Sequence, residues 1–216
     1  MRAIARRNRH KWPFDIKRSA LLVIDMQRYF LEPRRHGFCP AAVAVIGNVR
    51  RLIEHFRKND RPVIFTRHAH KKNGSDLGIL GKWWDGMPTE GSPESELDLR
   101  INLPPLKKGG RGGFEYVLTK SRYSAFVGTK LDSILKKHKV KEVVITGVMT
   151  NICCETTARD AFMRDYMVRF LADATGSPEE RMHVATLYNL AYAFADVCTT
   201  EELLFERSRE RFLSNR

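Results

Sequence analysis

The 216 residues are enough for one α/β domain or two small ones, and a hydrophobic content of 43% is that of a globular protein with a real core. No apolar run approaches the roughly 20 residues needed to span a bilayer, and the N-terminus lacks the apolar stretch of a signal peptide. The net charge of +13 is unevenly spread: residues 1–19 carry Arg2, Arg6, Arg7, Arg9, Lys11, Lys17 and Arg18 against Asp15 alone. A basic arm, residues 1–18, is therefore expected ahead of a domain over 19–216. Such an arm can hold phosphates, but no nucleic-acid motif follows it and no aromatic residues interleave with its charges as on a stacking surface. Nucleic acid is thus an unlikely partner, and the arm reads as solvated or as a contact between subunits.

Apolar β-rich runs then alternate with longer amphipathic stretches. The runs are Ala20–Ile24 ending at Asp25, Pro62–Thr66, Tyr116–Thr119 ending at Lys120, Val143–Thr146, Met167–Leu171 before Asp173, and a short Val197–Thr200. Helical patterns fill about 40–59, 128–139, 153–165, 178–195 and 200–212, with exits at 58–61 and 139–141. Strands separated by helices indicate crossover units and a parallel sheet covered on both faces. The expected fold is a three-layer α/β/α sandwich with a six-stranded parallel sheet.

The widest irregular region is 67–114, and a loop of that length inside a compact domain usually carries function. Gly109–Gly113 does not follow a strand in the phosphate-binding pattern and reads as a turn. The four cysteines do not form a disulfide framework in a chain this long. Cys153 and Cys154 are neighbours, whose bridging would be strained. Free thiols and a reducing, cytoplasmic setting are expected.

In parallel α/β sheets ligands bind beyond the carboxyl ends of the strands. Asp25, Lys120 and Cys153 occupy three such ends. Each has a plainer reading: a helix cap for Asp25, a solvated lysine, a buried structural cysteine. The cysteine follows Thr150 and Asn151, both good N-cap residues. A thiol in the first helical turn faces unpaired N–H groups and the positive end of the helix dipole, which favour the thiolate. That segment alone leaves nucleophile and structural cysteine both open. The joint placement of a carboxylate, an ammonium and a thiol is what points to a site.

The segments Leu21–Gln27, Lys120–Phe126, Gly147–Cys153 and Thr157–Ala161, with Asp173–Ala174 later, resemble the motifs of the isochorismatase-like cysteine hydrolases, in order, from about Ser19 to Leu204. The resemblance implies strand order 3-2-1-4-5-6 and a catalytic triad of Asp25, Lys120 and Cys153. It implies a cis peptide near Val148–Met149 and an oxyanion hole made by the Met149 and Cys153 N–H groups. It also implies a homo-oligomer acting on a small-molecule substrate.

Departures from the family pattern refine this. Metal-binding members carry Asp-x-His after the second strand, where this chain reads His68-Ala69-His70. Two such histidines can bind zinc, but loop histidines lining the pocket are the preferred reading. No metal and no cofactor are therefore expected, and nicotinamide becomes an unfavoured substrate. Isochorismatases proper lack the cysteine, yet Thr156–Ala158, Asp160–Asp165 and Trp84–Gly86 resemble their version. The thiol favours cleavage of a C–N bond in a small amide, carbamoyl or ureido compound through a cysteinyl thioester. Vinyl-ether hydrolysis and a non-catalytic binding protein on the same fold are the alternatives. Trp84, Tyr123 and Phe126 are candidate substrate-binding walls, with Trp83 beside them.

Overall fold

The computed structural model describes residues 1, 4, 6–8, 12–101 and 114–205. Its centre is a six-stranded sheet of β1 (Ser19–Ile24), β2 (Val63–His68), β3 (Glu115–Lys120), β4 (Glu142–Val148), β5 (Met167–Gly176) and β6 (Asp196–Cys198). The spatial order is β3-β2-β1-β4-β5-β6, and every pairing is parallel. Four helices cover it: α1 (Ile46–Lys58), α2 (Leu131–Lys137), α3 (Glu155–Phe162) and α4 (Glu180–Ala193). The three-layer α/β/α reading holds. So do the helix exits, where Asp60 and Lys139 take positive φ.

The layers follow from side-chain alternation along the strands. Ala20, Leu22 and Ile24 of β1 join one core with Leu131, Leu135, Ala158 and Leu187. Leu21 and Val23 join the other with Val49, Leu52, Ile53 and Phe56 of α1. Those four α1 residues lie at helical spacing, i, i+3, i+4 and i+7, so they form one stripe. β1 and β4 are buried at every position, as befits central parallel strands. β3 is an edge whose first four residues alternate between exposed and half-buried, while its last, Lys120, is buried.

Several boundaries differ from the expectation. β5 runs on to Gly176 rather than stopping before Asp173. Its pairing with β4 jumps from Ile145↔Phe170 to Gly147↔Thr175, so the extra β5 residues form a bulge. Within that bulge Asp173 Oδ1 accepts from the N–H and the hydroxyl of Thr200, at 2.7 and 2.9 Å, at the start of a helical stretch over 200–205. The rest of the expected final helix, 206–212, and the Gly109–Gly113 turn lie outside the described residues. Before β1, Phe14 and Ile16 are buried in the second core, and Asn8 exchanges hydrogen bonds with the Val197 backbone. All four cysteines are free and buried. Among the described residues no helix is long and apolar enough to cross a membrane.

Candidate active site

Asp25 is the first residue past β1, Lys120 the last of β3, and Cys153 lies in a π-type turn, Thr150–Cys154, between β4 and α3. The sheet register sets Ile24 beside Gly147 and His68 beside Lys120, so these ends share one rim. The three side chains meet there. Lys120 Nζ lies 2.7 Å from Asp25 Oδ2 and 3.3 Å from Cys153 Sγ. One oxygen of Asp25, one nitrogen of His68 and the sulfur all lie within 4.8 Å of one another.

The surroundings hold each group in place. Asp25 adopts positive φ, a left-handed backbone that Asp tolerates better than most residues. The Thr66 hydroxyl accepts from the Asp25 N–H and donates to Asp25 Oδ1 at 2.6 Å. Asp25 Oδ2 pairs with the ammonium by charge, but no donor meets it at hydrogen-bond angles among the described residues. Lys120 also donates to the Arg122 carbonyl at 3.0 Å. Gln27 is fully buried; it donates to the carbonyls of His68 and Ser95 and accepts the His68 N–H, fixing the end of β2 against the loop that follows. Gln27 and Thr66 are site residues that the sequence reading missed. Gln27 stands inside the Leu21–Gln27 motif, whereas nothing in sequence sets Thr66 apart from any strand threonine.

Burial governs the electrostatics. It pushes the Cys153 thiol up to about 12, further than the Lys120 charge pulls it down, and Asp25 adds to the rise. The resting group is therefore a thiol, contrary to the thiolate expected from a helix terminus. Desolvation opposes the Lys120 charge, but the Asp25 carboxylate leads the causes that hold the ammonium above its ordinary range. His68 falls to about 2, first through burial and then through the Lys120 charge, and stays neutral.

The helix-start expectation also needs correction. Thr150 and Asn151 are not caps: Met149 precedes the turn, and its carbonyl accepts from the N–H groups of both Ile152 and Cys154. The Thr150 hydroxyl instead meets His183 Nδ1 at 2.9 Å, and Asn151 accepts from Ser177. The Val148–Met149 peptide is cis.

Cys153 opens onto a cavity of about 540 Å³. Tyr29, Phe30, Phe38, Trp84, Tyr123 and Met182 supply much of its wall, and Met149, His68 and Asn151 also line it. Trp84 donates its indole N–H to the Tyr123 hydroxyl at 2.7 Å, which ties the two together. Trp83, 75% exposed, is not among the residues that line the cavity. Phe126 does not line it either: only 6% exposed, it stacks on Tyr166 in the core with Arg164 over its ring. Three residues after Tyr123 the chain has turned inward.

The metal question turns on the donor set. Asp25, His68 and Cys153 form the one group of three candidate ligands among the described residues. The place an ion would take is filled by the Lys120 ammonium, 2.7–3.3 Å from all three. These residues do not fit a metal while Lys120 stands among them.

The isochorismatase domain, as a sequence family, matches residues 19–202. The chain belongs to this family. It is 42% identical over 188 residues to nicotinamidase 3 of Arabidopsis thaliana, covering 87% of each protein. It is 31% identical over 211 residues to a ureidoacrylate amidohydrolase of Caulobacter vibrioides, covering 88% of this chain and 91% of that protein. The crystal structure of a cysteine hydrolase from Pseudomonas syringae pv. phaseolicola 1448A superposes with a TM-score of 0.81 at 28% identity, covering 92% of this chain and 96% of that one. The protein is thus an isochorismatase-family hydrolase, and its relatives include amidohydrolases.

Proposed function

We propose that the protein hydrolyses a C–N bond of a small amide, carbamoyl or ureido compound, with Asp25, Lys120 and Cys153 as the catalytic residues. The observation that carries this reading is Lys120 Nζ standing within 2.7 Å of Asp25 and 3.3 Å of the Cys153 sulfur at the floor of a cavity. A thiol with no base beside it would be inert at neutral pH. Here Asp25, with a carboxylate oxygen within 4.8 Å of the sulfur, is the base assigned its proton.

The chemistry follows in balanced steps. The S–H proton passes to Asp25 as sulfur attacks the carbonyl carbon. Lys120 compensates the negative charge that moves from carboxylate to sulfur and on to oxygen. The Met149 and Cys153 N–H groups, both at the cavity wall, are assigned the oxyanion, a contribution of about 3–4 kcal/mol per donor. Asp25 returns the proton to the leaving nitrogen, the C–N bond breaks, and a thioester remains on Cys153. Water then attacks the thioester, giving its proton to Asp25, and the acid leaves as the thiol re-forms. A neutral resting thiol suits this order, because the proton moves only as the substrate arrives.

The aromatic wall favours flat, apolar substrates. Relatives named for nicotinamide and ureidoacrylate give the panel its first members, so nicotinamide is included despite His68 standing where metal-binding members carry Asp. We take the working protein to be a homo-oligomer in a reducing compartment, where its four buried thiols persist. The test is a screen of small amides and ureas with intact-mass detection of an acyl adduct on Cys153. Turnover of one panel member, lost in Cys153→Ala, supports the reading. Isochorismate turnover that survives Cys153→Ala rejects it in favour of vinyl-ether hydrolysis.

A further inference from the structure

His68, beside Lys120 in the sheet register, is not used in the steps above. It sets Nδ1 3.3 Å from Lys120 Nζ. Its Nε2 lies 3.1 Å from Nε2 of His70. Both rings are buried. His70 Nδ1 in turn faces Asp76 Oδ1 at 3.5 Å, a loose contact outside hydrogen-bond geometry. Asp76 is 21% exposed, so the series runs from the Lys120 ammonium to the surface.

The two ends give this series a direction. An ammonium has only N–H groups to offer, and a carboxylate has only lone pairs. His68 Nδ1 must accept from Lys120, so a neutral His68 carries its proton on Nε2. That N–H donates to His70 Nε2, so a neutral His70 carries its proton on Nδ1, facing Asp76. One proton per ring satisfies the Lys120–His68 and His68–His70 links and turns the remaining N–H of His70 towards Asp76. A second proton on either ring would set N–H against N–H. Burial, first among the causes, keeps both imidazoles below their ordinary range and so neutral. Gln27 clamps the His68 backbone, so the ring has a fixed origin.

We propose that His68, His70 and Asp76 are positioning residues for Lys120, a one-directional relay that fixes the ammonium between Asp25 and Cys153. The proposal rests on the cysteine-hydrolase reading above and extends it to three side chains outside the reacting atoms. A divalent ion held by both Nε2 atoms is the rival arrangement, since two ligands at about 2.0–2.1 Å from one tetrahedral ion stand about 3.3 Å apart. His70 is not part of any three-ligand group among the described residues, which favours the relay.

The test uses the full-length protein. Long-range proton–nitrogen NMR of the imidazoles should find His68 as the Nε2–H form and His70 as the Nδ1–H form at neutral pH. Either ring in the other tautomer or doubly protonated overturns the relay, as does one equivalent of tightly held zinc that His70→Leu abolishes. Iodoacetamide labelling of Cys153 and the kcat on the best amide should each fall tenfold or more in His70→Leu, with KM within twofold. His70→Gln, whose amide oxygen can accept from His68, should restore both to within threefold of wild type. Wild-type labelling rates in His70→Leu sink the relay and leave the cysteine-hydrolase reading intact. A wild-type Cys153 that resists labelling, with both tautomers as stated, sinks that reading instead. Should His70→Leu fail to fold, the tautomer measurement on the wild type decides alone.

Discussion

Gly147 lies against the backbone of Ile24 so closely that a Cβ on it would stand 2.0 Å from the Ile24 carbonyl oxygen. Its φ of 106° is also one that side chains rarely adopt. This contact lets the end of β4 press onto the end of β1, which brings the Cys153 turn over Asp25.

Gly147→Ala should therefore be among the most damaging small substitutions in the chain. The obstacle is backbone, with no flexible side chain to move aside. The expected loss is about 3 kcal/mol or more, from overpacking and a forced left-handed φ together. Urea denaturation gives the stability. Whatever protein folds should also label Cys153 more slowly. A variant as stable as wild type would show that the two strand ends are not locked together in this way.

The buried Asp25–Lys120 pair ties chemistry to stability. Asp25→Asn keeps the shape and the Thr66 contact but removes the base and leaves a buried ammonium uncompensated, so turnover should drop by about 10²–10⁴-fold and stability by about 3–5 kcal/mol. Lys120→Met leaves a carboxylate buried and uncompensated. It should lose activity and a similar amount of stability, the usual result of breaking a buried pair from one side. Steady-state kinetics and thermal melts on the two variants check this. Wild-type stability of either variant would contradict the pairing.

The raised thiol predicts a pH effect of definite sign. A Cys153 held up to about 12 in the folded protein ionises more readily once unfolded. Below the ordinary thiol range, near 8.5, both states keep the proton and the stabilisation is fully present. It is lost as pH rises from there towards 12, at up to about 1.4 kcal/mol per pH unit for this one group. Cys154 is also raised well above its ordinary value by burial and adds a slope of its own. The difference between wild type and Cys153→Ala isolates the first. Parallel stability curves between pH 8 and 11 would refute the assignment.

How much of this was legible depended on whether strand ends announce themselves. Asp25, Lys120 and Cys153 each follow an apolar run, so position pointed to a shared rim, and the family resemblance implied the triad. The wall was harder. Tyr123 and Phe126 belong to one motif, yet only Tyr123 reaches the cavity, because the turn between them reverses direction without a sequence signal. Thr150 looks like a cap until the π-type turn hands that place to Met149. The His68–His70 geometry depends on β2 continuing two residues past its apolar run, which Gln27 enforces from 41 positions away.

That distinction between wall and core can be measured. Trp84→Phe removes the N–H that holds the Tyr123 hydroxyl and should raise KM severalfold with little change in stability, since Trp84 is 40% exposed. Phe126→Ala should do the reverse, costing about 3–5 kcal/mol while KM for the folded protein holds. A KM effect from Phe126→Ala without loss of stability would return that ring to the pocket.

The far end of the sheet offers the last separation. Arg169 is buried with its Nε 2.8 Å from Glu142, a second carboxylate, Asp196, at 3.4 Å, and the Trp12 carbonyl accepting from it at 2.9 Å. Glu142 pairs with β1 and β5 at their N-terminal ends, opposite the rim that holds Cys153. Arg169→Met should leave two buried carboxylates facing each other and cost about 3–5 kcal/mol. The penalty should shrink when Glu142→Leu is added, because the closest stranded charge goes with it. Neither change touches the cavity, so kcat and KM at a temperature well below the melting point should stay within twofold of wild type. A large kinetic effect from Arg169→Met in protein shown to be folded would mean that the two ends of the sheet are coupled, against the separation that the strand register implies.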